Sequence, residues 1–483
     1  MARERDRGGA SSPSIGKTAL VYGAMLVGAV LLFLWIRSVG GGLVAPASVG
    51  GAGLALAGPA RGIDNLLHVL LALLVIIVAA RLAGAAFRRI GQPPVIGEVI
   101  AGIVLGPSLL GRVSPDAYAF LLPPTVAPFL QVIAQVGVIL YMFLVGLELN
   151  PVHLRRSPQT ALAISHASIV VPFLLGSALA LHLYPLLATG DVPFTPFALF
   201  LGVSMSVTAF PVLARILTDR RMQATPIGVM ALTCAAVDDV TAWCLLALVV
   251  SVVQARGESA LQTLLLTAGY IAFVFLVLRP ALRGIVPRLE RRLDAASGHK
   301  AQNAMAFVFV LLLASALATE SIGIHALFGA FLLGAVMPHD SQLARELARR
   351  LEDIVVVLLL PAFFAFSGMR TQVQLVSGAE QWLLCGLVIA VACVGKFGGT
   401  AIAARLSGLP WRDASALGIL MNTRGLVELI VLNVGLDLGV ISPTLFAMLV
   451  VMALVTTLMT SPILAVLMRS ERRLSLSGGQ VAR

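Results

Sequence analysis

Stretch after stretch of this chain is apolar for close to the about 20 residues that a helix needs to cross about 30 Å of hydrocarbon. The runs fall at 18–36, 64–83, 93–110, 126–148, 160–183, 196–218, 226–250, 260–280, 303–319, 323–337, 353–369, 381–405, 413–436 and 444–468. Lipid offers no water to an open N–H or C=O, so each run must close its own backbone hydrogen bonds as a helix. The expected fold class is an all-α polytopic membrane protein with fourteen spans, three of them short or interrupted by Pro and Gly. At 59% hydrophobic and 12% charged residues, the chain has too few charges to solvate the surface of a water-soluble protein of 483 residues.

The net charge of +11 would suggest nucleic acid in a soluble protein. Here the cations lie in short loops on one side only, which is the signature of membrane topology. Arg81, Arg88 and Arg89 share that side with Arg155, Arg156, Arg220 and Arg221, and with Arg283, Arg288, Arg291, Arg292 and Lys300. Arg345, Arg349, Arg350, Arg412, Arg469, Arg472 and Arg473 continue the alternation. It predicts a multi-pass protein of the plasma membrane with both termini cytoplasmic, and no nucleic-acid partner. Residues 1–63 read as a polar tail, one extra helix and a Gly/Ala-rich loop. The first run is long for the core of a signal peptide, so a retained helix is expected. Residues 64–468 form one transmembrane domain, and 469–483 a short cytoplasmic tail. Cys234, Cys244, Cys385 and Cys393 all lie in apolar runs without a CxxC pair and read as packing residues.

A repeat is visible. Ala101-Gly102-Ile103-Val104-Leu105-Gly106 in the third span matches Gly329-Ala330-Phe331-Leu332-Leu333-Gly334 in the tenth. Val145-Gly146-Leu147-Glu148 in the fourth matches Ser367-Gly368-Met369-Arg370 in the eleventh, and Val207-Thr208 in the sixth matches Asn422-Thr423 in the thirteenth. Each pair is seven spans apart, and an odd offset inserts the copies with opposite orientation. Inverted repeats are the plan of secondary transporters, whose sites lie near the midplane where the halves meet.

Charged residues inside the runs mark where that site should be, because an ionisable group at bilayer depth is costly and is a functional hypothesis by default. Ala235-Ala236-Val237-Asp238-Asp239-Val240 puts two adjacent carboxylates near the middle of the seventh span. Two neighbouring buried carboxylates are hard to keep ionised together, so they suit an exchange of protons for a small cation. In the sixth span, Ser204-Met205-Ser206-Val207-Thr208-Ala209-Phe210-Pro211 should kink or break, since Pro211 lacks an N–H and clashes with the preceding turn. Freed carbonyls and the Ser206 and Thr208 hydroxyls would then serve as oxygen ligands. The thirteenth span carries Asn422-Thr423-Arg424-Gly425-Leu426-Val427-Glu428, in which Arg424 and Glu428 are four apart and able to pair on one face. Lys396 lies too deep in its span to snorkel, and a partner is expected in Asp238 or Asp239.

Other polar residues read as structural. Arg370 is expected at the interface, Glu98 one turn into its span, Glu320 in a loop, and His166 and His325 in packing roles. Glu148 and Arg370 end their spans on opposite sides and are not expected to meet. No metal-ligand spacing, P-loop or nucleophile–base pair occurs, so neither an enzyme nor a cofactor is expected. The residues alone leave open an antiporter, a cation channel, a proton-coupled exporter of an organic solute, and a silent sensor.

The motifs taken together resemble those of the monovalent cation:proton antiporter superfamily. The resemblance rests on Asp238-Asp239, on Val207-Thr208-Ala209-Phe210-Pro211-Val212-Leu213-Ala214-Arg215, on residues 359–371 and on residues 421–433. It is similar to the branch of plant cation/proton exchangers and their bacterial relatives, near the glutathione-gated potassium efflux systems, and runs from about Asp64 to Met468. The resemblance implies a sodium/proton-antiporter-like inverted-repeat fold of about 13 core helices, here with one extra N-terminal helix. It also implies two crossing broken helices, an elevator-like movement of the core, a homodimer, and exchange of K⁺ or Na⁺ for H⁺. By position, Asp239 would be the main carboxylate, Asp238 and Lys396 its coupled pair. The plant branch usually has Asn where this chain has Asp238, and an Asp with a lysine is similar to electrogenic bacterial antiporters.

Overall fold

The computed structural model describes residues 15–46, 62–148, 158–190, 192–223, 225–254, 259–294, 299–338 and 341–478. In chain order come α1 (Ile15–Gly40), α2 (Gly62–Arg89), α3 (Pro94–Leu105), α4 (Ala127–Glu148) and α5 (Pro158–Leu187). Then follow α6 (Phe194–Ser206), α7 (Phe210–Asp219) and α8 (Pro226–Gln254). A linker runs from α9 (Ser259–Phe273) through a π-helical turn at Val274–Leu278 into α10 (Arg279–Asp294). The second half contains α11 (His299–Ile322), α12 (Ala326–Val336), α13 (Gln342–Ile354) and α14 (Leu360–Arg370). It ends with α15 (Gly378–Cys393), α16 (Gly399–Leu406), α17 (Trp411–Met421), α18 (Leu426–Asp437) and α19 (Pro443–Gly478).

Among the described residues, twelve helical stretches are long and apolar enough to cross a membrane. The other two expected spans are helical but not continuous over that length: one is the shorter α12, the other is broken between α17 and α18. The last helix, α19, runs on from the membrane span to Gly478. Residues 47–61, the Gly/Ala-rich loop, lie outside the described residues.

The helices form two groups. One, the scaffold, packs α2 on α3, α3 and α4 on α14, and α4 and α11 on α12. The other packs α5 on α6, α8 and α16, α17 on α8 and α16, and α19 on α15 and α17. By the sequence repeat, α3 corresponds to α12 and α4 to α14. The α3–α14 and α4–α12 contacts are therefore one contact made twice, as a pseudo-two-fold axis requires. Both are backbone-close and made by the glycines of the repeat. A Cβ on Gly146 would lie 2.9 Å from the Cα of Gly334 and collide with the Phe331 carbonyl. One on Gly368 would lie 2.9 Å from the Cα of Gly102 and collide with the Val99 carbonyl. Small residues that let helices approach this closely drive association in lipid, where no hydrophobic force separates helix from tail. The extra helix α1 packs on α5 and α6.

These contacts predict that Gly334→Leu lowers the melting temperature of detergent-solubilised protein, since overpacking a fitted contact costs about 1–3 kcal/mol. Gly386→Leu, at a position with open space around it, should leave it unchanged. Equal melting of both variants would refute the close-contact assignment.

Candidate functional site

The helix of the sixth span ends at Ser206 and restarts at Phe210, with extended backbone at Val207 and non-helical backbone at Ala209. Pro211 sits in the first turn of the restarted helix, where its missing N–H leaves no bond unmade. In the thirteenth span, the helix stops at Met421 and restarts at Leu426. The two breaks cross, and the Ala209 N–H donates to the Thr423 carbonyl at 3.0 Å. Each break presents one helix C-terminus and one helix N-terminus to the centre of the protein.

Such ends carry unsatisfied carbonyls and N–H groups, with partial negative charge at the C-terminus and positive at the N-terminus. Cations meet the C-terminus of α6. Arg424 donates to the carbonyls of Ser204 at 2.8 Å and Met205 at 2.6 Å, and Lys396 to the carbonyl of Ser206. Carboxylates meet the N-termini: the Phe210 N–H, opening α7, bonds the Asp239 carboxylate, and Glu428 lies in the first turn of α18. Arg424 also pairs with Glu428 at 3.0 Å, with both side chains fully buried.

The adjacent carboxylates have different surroundings. Asp238 is fully buried and receives the Ser165 hydroxyl, Ser168 Oγ at 2.7 Å, Thr208 Oγ1 at 2.8 Å and Lys396 Nζ at 2.9 Å. Lys396 has three N–H donors, and its three acceptors are Asp238 and the carbonyls of Ser168 (3.0 Å) and Ser206. A π-helical turn at Val394–Gly398, between α15 and α16, carries this lysine; such turns recur at functional sites. Asp239 is 1% exposed, and its Oδ1 has no hydrogen-bond partner among the described residues. Asn422 Oδ1 and Glu428 Oε1 are likewise buried without a partner. Buried polar atoms are nearly always satisfied, so an open carboxylate oxygen on the crossing is where a proton or cation would go.

Of the residues singled out in the sequence, Asp238, Asp239, Thr208, Lys396, Arg424 and Glu428 come together at the crossing. Thr423 contributes its backbone carbonyl, while its hydroxyl reaches Thr460 at 3.4 Å. The Asn422 amide nitrogen lies 3.6 Å from Cys393 Sγ. The Ser206 hydroxyl turns back to the Gly202 carbonyl at 2.7 Å, away from the carboxylates, so this residue meets the site through its carbonyl. Arg370, at the end of α14, pairs with Asp437, whereas Glu320, expected in a loop, sits on α11 and accepts the Ala326 N–H that opens α12. Ser165 and Ser168 escaped the sequence reading. Their i, i+3 spacing on one face of α5 was the available signal.

The sequence profile of the sodium/hydrogen exchanger transmembrane family matches residues 69–469. The Na⁺/H⁺ antiporter NhaS4 of Synechocystis is 47% identical over 83% of this chain and 97% of its own length. Cation/H⁺ antiporter 20 of Arabidopsis thaliana is 41% identical, and K⁺/H⁺ antiporter 1 of Saccharomyces cerevisiae 35%. The match takes in 50% of the plant protein and 44% of the yeast one, about half the length of each. Among solved structures, the sodium proton antiporter MjNhaP1 of Methanocaldococcus jannaschii shares the fold. Its TM-score is 0.60 at 14% identity, over 83% of this chain and 96% of that one.

The site predicts an order of stabilities. Removing one partner of a buried ion pair costs about 3–5 kcal/mol, because the other charge is left uncompensated. Lys396→Met should therefore melt well below the parent in detergent, and adding Asp238→Asn should recover part of the loss. No recovery in the double variant would contradict the pairing.

Proposed function

The chain belongs to the sodium/hydrogen exchanger family and is a secondary active antiporter exchanging monovalent cations for protons. From that premise we propose that Asp239 is the carboxylate that carries the proton and the cation in turn. The observation behind this reading is its open, buried Oδ1 beside an Asp238 already held by four donors. The cargo is Na⁺ or K⁺, the two cations in the names of its bacterial and yeast relatives. Carbonyl, carboxylate and hydroxyl oxygens suit either ion, with site size and field strength setting the preference.

The Asp238–Lys396 pair positions the site. Together with Ser165, Ser168 and Thr208 it ties α5, the α6 break, α8 and the α15–α16 turn into one body. Arg424 ties the two breaks together. Transport consists of movement of this body against the scaffold, which opens Asp239 to one side and then the other; the conformer described here has it closed. The basic loops support a plasma-membrane protein with both termini cytoplasmic, and the family resemblance a homodimer.

Purified protein in liposomes loaded with a pH-sensitive dye tests the assignment. A Na⁺ or K⁺ gradient should drive proton flux in the parent, and Asp239→Asn should reduce it to the level of empty liposomes while leaving the protein folded. Cation-driven flux that survives this substitution would rule out the role of Asp239.

A further inference from the structure

Far from the carboxylates, a second set of polar contacts joins the mobile body to the scaffold. Arg370, ending α14, donates to Asn433 Oδ1 at 3.1 Å and to Asp437 Oδ1 at 2.7 Å. The Asn433 amide donates in turn to Ser367 Oγ at 2.7 Å. Ser367 and Arg370 are neighbours on one face of the scaffold helix α14, and Asn433 and Asp437 neighbours on one face of α18, which packs on α19 and so moves with the other group. The four side chains make a short polar ladder across the seam along which the two groups must slide.

The ladder lies at the end of the molecule away from the basic loops. α17 begins beside Arg412, whose Nε bonds the Leu467 carbonyl near the end of the last span. α18 leaves the crossing at Leu426 and runs away from that end to Asp437. Toward the basic-loop end, Gln92 reaches across to the Leu458 carbonyl through one uncharged and longer bond, at 3.3 Å. A cavity of about 30 Å³ adjoins the ladder, lined by Gln131, Gln135 and His325 of the scaffold with Arg370, Asn433 and Asp437. That is room for about two waters.

The two ion pairs of the seam and the site differ in kind. Lys396 and Asp238 have no exposure at all, whereas Arg370 and Asp437 are 24% and 29% exposed. A buried pair that loses its partner is left charged in a dry interior, but a pair bordering water is resolvated when it parts and contributes little when it forms. The Arg370–Asp437 pair is therefore suited to break and re-form in each cycle. α18 carries Glu428 in its first turn and Asp437 at its last residue, so a helix of 12 residues connects the crossing to the ladder directly.

We propose that Ser367, Arg370, Asn433 and Asp437 are a latch that holds closed the access route on the face away from the basic loops. Arg370 and Asp437 are then positioning residues for the conformational step of exchange. The latch rests on the antiport reading above, but it is read by a measurement that does not require transport.

Val434 lines the cavity, sits on the mobile helix and is buried in the latched conformer. In a background with the native cysteines replaced, Val434→Cys is labelled in intact cells by a membrane-impermeant thiol reagent. Asp437→Asn should speed labelling about fivefold or more, the lower end of ordinary conformational couplings. Exchanging the charges, Arg370→Asp with Asp437→Arg, should return it to the parent rate. An unchanged rate in Asp437→Asn overturns the latch, as does a raised rate that the charge exchange fails to restore. Should Asp437→Asn not reach the membrane, Arg370→Gln tests the same bond from the other side, with the same two outcomes. Labelling that responds as expected in a chain without cation-driven proton flux would keep the latch and reject the antiport reading. Intact exchange with unresponsive labelling would do the reverse.

Discussion

An ammonium and a carboxylate held together with no exposed surface form the constraint on which this molecule depends. Removing two charges from water is costly, and their attraction compensates only when the remaining donors and acceptors are also satisfied. Around Lys396 and Asp238 the count closes. The lysine has three acceptors for three donors, and the carboxylate collects three hydroxyls besides the ammonium. Those partners come from α5, the break after α6, α8 and the π-helical turn before α16. Satisfying one ion pair thus locks four elements into a single body, and it leaves Asp239, the next residue, as the carboxylate with an oxygen to spare.

The broken helices extend the same logic to the backbone. A helix that stops in mid-membrane exposes carbonyls and N–H groups that lipid cannot satisfy. Arg424 and Lys396 meet the carbonyl end of α6, while Asp239 meets the N–H end of α7. Charges that would each be expensive alone are matched to helix ends that would be equally expensive bare. Glycine contacts between helix backbones hold both groups, at Gly146–Gly334 and Gly102–Gly368 in the scaffold and at Gly176–Gly202 between α5 and α6 in the other. The second group adds the buried polar bonds around Asp238, and the seam between the groups carries a water-bordered ion pair.

Much of this was legible in the residues, because the bilayer imposes simple rules. Apolar length marked the spans, and the short tenth together with the broken sixth and thirteenth are where a continuous membrane-crossing helix fails. Depth alone marked Asp238, Asp239 and Lys396. Three short matches at a common offset revealed the repeat, and the packing of α3 on α14 and α4 on α12 follows from it. Rotation and partnership were not legible. Consecutive residues on a helix point about 100° apart, so the choice between Asp238 and Asp239 as the lysine's partner depends on how α8 faces the other elements. Ser165 and Ser168 look like any serines of a membrane helix until the carboxylate is seen between them. Ser206 lies in the predicted motif, yet its hydroxyl is taken by its own helix at Gly202. Arg370 reads as an end-of-span cation because its partners lie 63 and 67 residues further along the chain.

The central claim is a division of labour between adjacent carboxylates: Asp238 holds the structure together and Asp239 handles the cargo. The most direct measurement is cation-driven proton flux in liposomes containing the doubly neutralised chain, Asp238→Asn with Lys396→Met, in which Asp239 is untouched. Flux that persists, even slowed, is the result expected if the pair only positions the site. A folded double variant with no more flux than empty liposomes would show that the pair itself carries the exchanged ions, and would contradict the account.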